Sequence, residues 1–564
     1  MSGSVAERRA DLQARFTPWQ PLMLHDLLDR QAEAAGDLPY VITDDATYTF
    51  NDIRDWSIRL AQGLCAVGVE PGDHVGVVLA NFPEFVALKY AISRAHAVTV
   101  PINFLNRRDE LGYVVAQSDV KVLVTMDTFR GLDYLSFLDE LEPTWREGRF
   151  SRFPALTHVF VHATGPRPPV GVAPVRDLEL AGRGVTLPAE PGQPFEACDI
   201  LYTSGTTGHP KGVVLTHDMV TRTAYGSAYS RAVPLGHRIT FSLPMYHVYG
   251  YIEGMLVAAI VGGSIVPQLS FSPAETLRAI QKHSVTDVLL VPTMTLALID
   301  ELEQHPKDLP TLSTMISSGG YSPPWIWKRI REVFGNLELT TGYGMSETTA
   351  TTTLTEPGGP DDLLRTNGRQ RPAGVAGDPQ LGGSLVAYRV VDPETGRQVG
   401  VGEVGELRAW GPGVTSGYYR KPDETAAAFD EQGWFRSGDL GSIDSSGSLV
   451  LVGRAKDVYR CGGEQVVPKE IEDVLIQHPA VSQAHVVPLR DERMGEVGVA
   501  WVVTREGHLF DEEALRAYCT DHLARFKVPR HFLSVAAADV PVTPSGRPRK
   551  FLLAERAALE LAGQ

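Results

Sequence analysis

Apolar positions along this chain fall into two patterns that take turns: stretches with helical spacing, and short unbroken apolar runs. Residues 53–67 have helical spacing, Pro71-Gly72-Asp73 makes a turn, and residues 75–79 form an apolar run. Positions three or four apart share one helix face, whereas a short apolar run bounded by turn residues suits a buried strand. The order repeats with a helix at 84–95 and a strand at 97–100, and further strands are predicted at 122–126 and 157–162. Residues 47–50 read as a strand running into a helix cap at Asn51. Farther on, 239–243, 264–266, 288–291 and 314–318 are predicted strands, and 249–259 and 274–283 predicted helices. This alternation implies an α/β architecture with largely parallel sheets.

Past Gly382 the texture turns to β, with short strands predicted at 384–391, 405–409 and 449–452. After Lys456 a small α+β unit follows: helix 469–477, strands 482–489 and 497–503, helix 512–523. A chain of 564 residues is too long for one core. The predicted boundary falls at 453–457, giving an N-terminal domain of 1–455 and a C-terminal domain of 456–564.

Composition narrows the class only a little. Hydrophobic residues at 43% and charged residues at 21% are ordinary for a globular protein. The apolar stretch 255–266 is interrupted by Gly262 and Gly263 and falls short of the roughly 20 residues a bilayer span needs, so it reads as core. Residues 1–15 are polar with mixed charge and lack a signal-peptide region, so a cytoplasmic location is expected. A net charge of −16 argues against nucleic-acid binding but leaves nucleotide binding open. Cys65, Cys198, Cys461 and Cys519 are far apart with no C-x-x-C pair, which argues against a zinc site or disulfide framework.

The strongest chemical signal is Leu201-Tyr202-Thr203-Ser204-Gly205-Thr206-Thr207-Gly208-His209-Pro210-Lys211-Gly212, set between predicted strands at 199–202 and 213–216. Hydroxyl residues interleaved with glycine let backbone N–H groups and side-chain hydroxyls approach a polyphosphate, and Lys211 adds a point charge. It is not a Walker loop, because Pro210 stands where that motif needs its second glycine and no helix start follows.

This segment resembles the phosphate loop of the adenylate-forming superfamily of acyl-CoA synthetases, luciferases and peptide-synthetase adenylation domains. Further matches run in order across 22–553. Pro244-Met245-Tyr246-His247 is similar to the segment whose His247 would line the acid pocket. Ser318-Gly319-Gly320 is similar to the adenine-contacting loop. Thr341-Gly342-Tyr343-Gly344-Met345-Ser346-Glu347-Thr348 resembles the motif that stacks on adenine through Tyr343 and holds magnesium through Glu347. Ser437-Gly438-Asp439 and Gly453-Arg454-Ala455-Lys456-Asp457 complete the set. Each is chemically sensible alone: a carboxylate oxygen suits Mg²⁺, a flat ring suits adenine, and Asp439 with Arg454 can hold ribose hydroxyls.

The resemblance implies a large N-terminal domain of two α/β subdomains and a distorted β-barrel, with a small mobile C-terminal domain. That domain would rotate about Lys456 and present the loop around Gly462 and Gly463 to a thiol tunnel. It implies ATP, Mg²⁺ and CoA as reaction partners, and a small acid as substrate. The family's C-terminal motif ends in a catalytic lysine after glycine, but this chain has Pro541-Val542-Thr543-Pro544-Ser545-Gly546-Arg547-Pro548-Arg549-Lys550. Arg547 stands at the lysine position, and arginine's planar fork is not equivalent to an ammonium. Three readings stay open: Arg547 does the lysine's work, Lys550 enters instead, or the acid is unusual.

The leading expectation is an acid–CoA ligase. Residues 245–248 lack the aspartate that peptide-synthetase domains use for an amino group, and no attached carrier domain is expected after Leu553. One alternative is an ATP-dependent diazotase that activates nitrite and transfers the nitroso group to an aryl amine. Another is a non-catalytic nucleotide sensor.

Overall fold

Valine- and leucine-rich runs that are buried on both faces build two seven-stranded sheets. The computed structural model describes residues 3–166, 169–189, 192–203, 210–320, 322, 324–543 and 548–562. The first sheet has the spatial order Lys211–Thr216, Ala197–Thr203, Val98–Pro101, His74–Val78, Val120–Met126, His158–His162, Ala173–Pro174. Its pairs are parallel except the edge pair of Ala197–Thr203 with Lys211–Thr216. The second runs Glu338–Thr340, Thr314–Ser317, Asp287–Leu290, Arg238–Phe241, Ser264–Pro267, Pro39–Ile42, Thr47–Thr49, again parallel except at the last pair. Helices cover both sheets, because parallel strands need crossovers that leave neither face to water.

A β-rich region follows, as the change of texture predicts. Gly342–Met345, Ala350–Leu354 and Arg369–Gln370 form one antiparallel sheet. Ala387–Val391, Gly405–Trp410, Phe435–Ile443 and Leu449–Arg454 form another. Tyr343, Tyr388 and Phe435 share one core between them. The Asn367 N–H to Leu449 carbonyl (2.7 Å) and Leu449 N–H to Gly368 carbonyl (2.8 Å) bonds stitch the two sheets together.

After Arg454 a single turn, Ala455–Asp457, leads into a small α+β domain with its own core. Its sheet pairs Val481–Asp491 with Gly495–Thr504, and His531–Ser534 lies parallel to the latter. Val486, Phe532, Trp501 and Leu553 are buried within it. A large N-terminal and a small C-terminal domain are thus both present, as expected. None of the described helices is long and apolar enough to cross a membrane.

Three local expectations need correction. The helix predicted from Asn51 is capped by Thr49, whose Oγ1 accepts the Asp52 N–H (3.1 Å) while Asp52 accepts the Thr49 N–H (2.8 Å). That reciprocal box satisfies two orphan donors at once, which an Asn51 cap does not. The polar N-terminus contains a helix, Val5–Phe16, anchored by buried Leu12 and Phe16 and by Arg8 pairing with Glu338 at 2.7 Å. The helix predicted at 249–259 begins as a π-helix, Tyr249–Leu256, before becoming α at Val257–Ile260.

Desolvation keeps three histidines neutral, His217 and His237 in the interior and His25 half-buried. Desolvation, with Arg94 adding to it, lowers the pKa of His25 to about 3; desolvation also takes His217 to about 3 and His237 to about 4. The unfolded chain protonates these rings near pH 6.5, so the stability their neutrality lends is lost as pH falls below that value. The slope approaches about 1.4 kcal/mol per pH unit for each such ring. Thermal unfolding should shift steadily to lower temperature as pH drops from neutrality through the mildly acidic range; a flat profile contradicts this account.

Candidate active site

The phosphate-loop candidate connects two antiparallel strands at the edge of the first sheet, where Thr203 pairs with Lys211 and Tyr202 with Gly212. Ser204, Gly205, Thr206 and Thr207 lie outside the described residues. Thr203 is half-buried at the end of its strand. Both ends of the loop are pinned: the Tyr202 hydroxyl to Gln117, and the Tyr113 hydroxyl to the Pro210 carbonyl (3.2 Å). Segment 415–419 closes the outer edge, with the Tyr419 N–H on the Gly212 carbonyl (2.8 Å) and the Val214 N–H on the Gly417 carbonyl (3.2 Å).

Closing that edge sets Tyr418 between two charged groups. Lys211 Nζ lies 4.9 Å from the centre of the Tyr418 ring, and the Tyr418 hydroxyl donates to Glu347 Oε1 at 3.2 Å. Glu347 is half-buried, and loss of water around its carboxyl raises its pKa although the Tyr418 bond opposes this. Tyr418 was not singled out from the sequence, since its partner lies 71 residues away and only the fold joins them.

Glu347 sits in a tight turn, Ser346–Thr348, inside the hairpin Gly342–Met345/Ala350–Leu354. The turn closes on itself: the Thr348 hydroxyl accepts the Met345 N–H (3.2 Å), so fully buried Thr348 shapes this turn. A Cβ on Gly344 would come within 1.8 Å of the Ala350 carbonyl, so only glycine fits there. Thr349 (φ 56°) and Ala350 (φ 80°) are both left-handed, a strained conformation for L-residues.

The remaining adenine and ribose candidates gather behind this hairpin. The Ser318 hydroxyl donates to the Gly342 carbonyl (2.7 Å) and draws the loop of Gly319 (φ 85°) and Gly320 against it. Asp439 and Arg454 pair across neighbouring strands, with Arg454 Nε donating to Asp439 Oδ1 (2.8 Å). Tyr343 is buried, and its hydroxyl donates to Asp439 Oδ2 (2.7 Å), so hairpin and ribose candidates form one network. Burial and the Asp439 charge raise the Tyr343 pKa far above the ordinary phenol value.

His247 is half-buried at the entry to the π-helix, and its Nδ1 accepts the Tyr249 N–H (3.3 Å). Beside it Tyr246 is buried, its ring edge-on to Phe104 at 5.1 Å and its hydroxyl without a hydrogen-bond partner among the described residues.

In the C-terminal domain, Gly462 (φ 61°) and Gly463 (φ 90°) form the two-residue turn between Tyr459–Cys461 and Glu464–Val466, where both positions require positive φ. Lys456 is exposed in the turn Ala455–Asp457. Arg547 lies outside the described residues. Lys550 begins the last helix and pairs with buried Glu472 at 2.6 Å. Burial alone would raise the Glu472 pKa, but Lys550, with His485 and the Val486 N–H, brings it below the ordinary glutamate value. Arg549, which the sequence reading passed over, lines a cavity of about 750 Å³ with Thr543, facing Asn103, Arg107 and Phe137 of the N-terminal domain.

Known proteins resemble this chain over nearly its whole length. The family profile for AMP-binding enzymes matches residues 28–419, and the profile for the C-terminal domain of AMP-binding enzymes matches residues 470–547. The chain is 31% identical to sulfoacetate–CoA ligase of Cupriavidus necator over 97% of this chain and all of that one. It is 30% identical to the mitochondrial medium-chain acyl-CoA ligase of Danio rerio, covering 92% of this chain and 85% of that one. Among solved structures, ATP-bound MatB from Rhodopseudomonas palustris superposes with a TM-score of 0.80 at 26% identity, over 95% of this chain and 99% of that one. The chain therefore belongs to the adenylate-forming family of AMP-binding enzymes, close to its acyl-CoA and aryl-CoA ligases.

Proposed function

We propose that this chain joins a small carboxylic acid to CoA through an acyl-adenylate formed beside Lys211 and the Glu347 turn. A carboxylate oxygen attacks the α-phosphate of ATP and the bond to pyrophosphate breaks. The CoA sulfur then attacks the acyl carbon, the bond to AMP breaks, and the thiol proton leaves to solvent. The observation that carries this reading is Lys211 and Glu347 facing each other across Tyr418 at the mouth of the phosphate hairpin.

Each candidate takes a role its chemistry allows. Lys211 and the loop 203–207 neutralise the phosphates; Gly319, Gly320, Gly342, Tyr343 and Gly344 shape the adenine site; Asp439 and Arg454 hold the ribose; His247 lines the acid pocket. Among the described residues no three His, Cys, Asp or Glu side chains cluster to hold a metal. Mg²⁺ would therefore rest on Glu347 and the substrate's own phosphates, as that hard ion commonly does. When bound it would draw charge from the phosphoryl oxygens.

The C-terminal domain, taken as 456–564, would turn about Lys456 to bring Gly462 and Gly463 to the thiol. Its separate core and polar contacts such as Arg460 with Glu394 (3.0 Å) and Arg505 over Trp325 (5.6 Å) favour such motion.

The relatives named above carry the names of CoA ligases, which favours the thioester over the nitrite and sensor readings. Purified protein with Mg·ATP should release AMP and pyrophosphate with a member of a panel of alkyl, aryl and sulfonated acids, and form a CoA thioester. AMP formed only with nitrite and an aryl amine would move the chain to the diazotase class. Nucleotide binding without AMP from any acid would make it a sensor.

The altered C-terminal motif gives a second test. Arg547→Ala should slow AMP formation at least about 10²-fold, the effect of losing a transition-state charge partner. Lys550→Ala should leave that rate nearly intact but destabilise the protein by about 3 kcal/mol, since it strands a buried carboxylate. The reverse pattern would make Lys550 the working cation.

Tyr418→Phe keeps a ring under Lys211 but removes the hydroxyl from Glu347. The raised Glu347 pKa should rise further, moving the acid limb of kcat/KM for Mg·ATP to higher pH. An unmoved limb would separate Glu347 from magnesium binding.

A further inference from the structure

Between the acid-pocket segment and the Glu347 turn lies a buried charge that neither motif contains. Glu253, on the π-helix that begins just after His247, is fully buried. Its Oε1 accepts the backbone N–H of Thr351 (3.3 Å) and a bond from Arg371 Nη1 (3.3 Å), and its other oxygen accepts the Ser227 hydroxyl. Arg371 is buried too and also donates to the Thr223 carbonyl (3.2 Å). Arg231 donates to the Glu253 carbonyl (3.4 Å) and pairs with buried Asp287, so two arginines and two acids balance in charge.

The bond to Thr351 falls where the hairpin needs support. Thr351 follows the left-handed pair Thr349 and Ala350, and such residues persist only where their surroundings hold them. Among the described residues, side-chain bonds brace this stretch from outside the hairpin on two sides, the Thr349 hydroxyl on the Gly413 carbonyl (2.8 Å) and Glu253 on the Thr351 N–H, while the Thr348 hydroxyl reaches the Ala350 carbonyl (3.5 Å) from within it. The π-helix aims Glu253 there. Its wide turns admit one more residue than an α-helix, and it lies so close to the strand Arg238–Phe241 that a Cβ on Gly254 would come within 2.5 Å of the Phe241 ring.

We propose that Glu253 is a positioning residue: from the acid-pocket helix it holds the strained Thr349–Thr351 backbone and thereby fixes Glu347 facing the nucleotide. The inference rests on the reading of Glu347 as the Mg·ATP carboxylate. A purely structural ion pair would affect stability alone, whereas a positioning residue must affect nucleotide binding in protein that remains folded.

The test replaces the pair with apolar side chains, Glu253→Leu with Arg371→Met, an exchange that buried ion pairs often tolerate without loss of stability. Glu253→Gln is the second variant, whose neutral amide makes a weaker acceptor for Thr351. Mg·ATP affinity is read by calorimetry, together with the magnesium half-saturation of AMP formation and the melting temperature. In the double variant, affinity and half-saturation should worsen about 10- to 100-fold, the range for losing an outer support of a metal ligand. Glu253→Gln should show a smaller loss of the same kind. Parental Mg·ATP binding in either folded variant would overturn the proposal. Glu347→Gln serves as the control: if it also binds Mg·ATP as the parent does, the reading of Glu347 fails; if it weakens binding and the Glu253 variants do not, this inference alone fails.

Discussion

A phenol standing between an ammonium and a carboxylate is the contact on which the rest of this site depends. Lys211 lies over the Tyr418 ring and Glu347 accepts its hydroxyl, so these opposite charges from different sheets are bridged rather than joined directly. A direct ion pair would neutralise both groups before any ligand arrived. The aromatic spacer leaves the two charges apart, an arrangement suited to the electrostatic preorganisation proposed for this site. Keeping it there needs the 415–419 segment tied to the phosphate hairpin, and the Thr415 N–H on the Glu347 carbonyl (2.8 Å) fixes the other side.

Around that contact the fold assembles pieces that are distant in sequence. The first sheet supplies the candidate phosphate hairpin at its antiparallel edge, and the Gly319 loop follows a strand of the second. The β-rich region supplies the Glu347 turn and the Asp439–Arg454 pair. Strain accumulates where they meet: two left-handed residues follow Glu347, and the helix after His247 is wound as a π-helix. Such departures from regular geometry persist only where the surroundings hold them, and they tend to cluster at working sites.

The sequence pointed to candidate residues more readily than to the contacts between them. The hydroxyl- and glycine-rich loop, the Glu347 motif and Asp439 with Arg454 are legible because local chemistry fixes their spacing, and the latter two prove to be cross-strand neighbours. Tyr418, Glu253 and Arg371 are not, because their roles come from contacts between segments that no local pattern links. The π-helix is hidden for another reason: in a stretch buried on all sides, periodicity cannot distinguish a wide turn from an ordinary one. The N-terminal helix was missed because Leu12 and Phe16 are sparse anchors among charges, and the Thr49 cap because the box with Asp52 outcompetes Asn51.

The central claim is that a carboxylate oxygen of the substrate bonds to the α-phosphate of ATP. The most direct measurement supplies an accepted acid labelled with heavy oxygen in its carboxyl group, allows thioester formation with CoA, and weighs the released AMP by mass spectrometry. One labelled oxygen in AMP is the predicted result, because the carboxylate oxygen that attacked phosphorus leaves with it. Label in inorganic phosphate instead, or AMP free of label, would contradict the acyl-adenylate route.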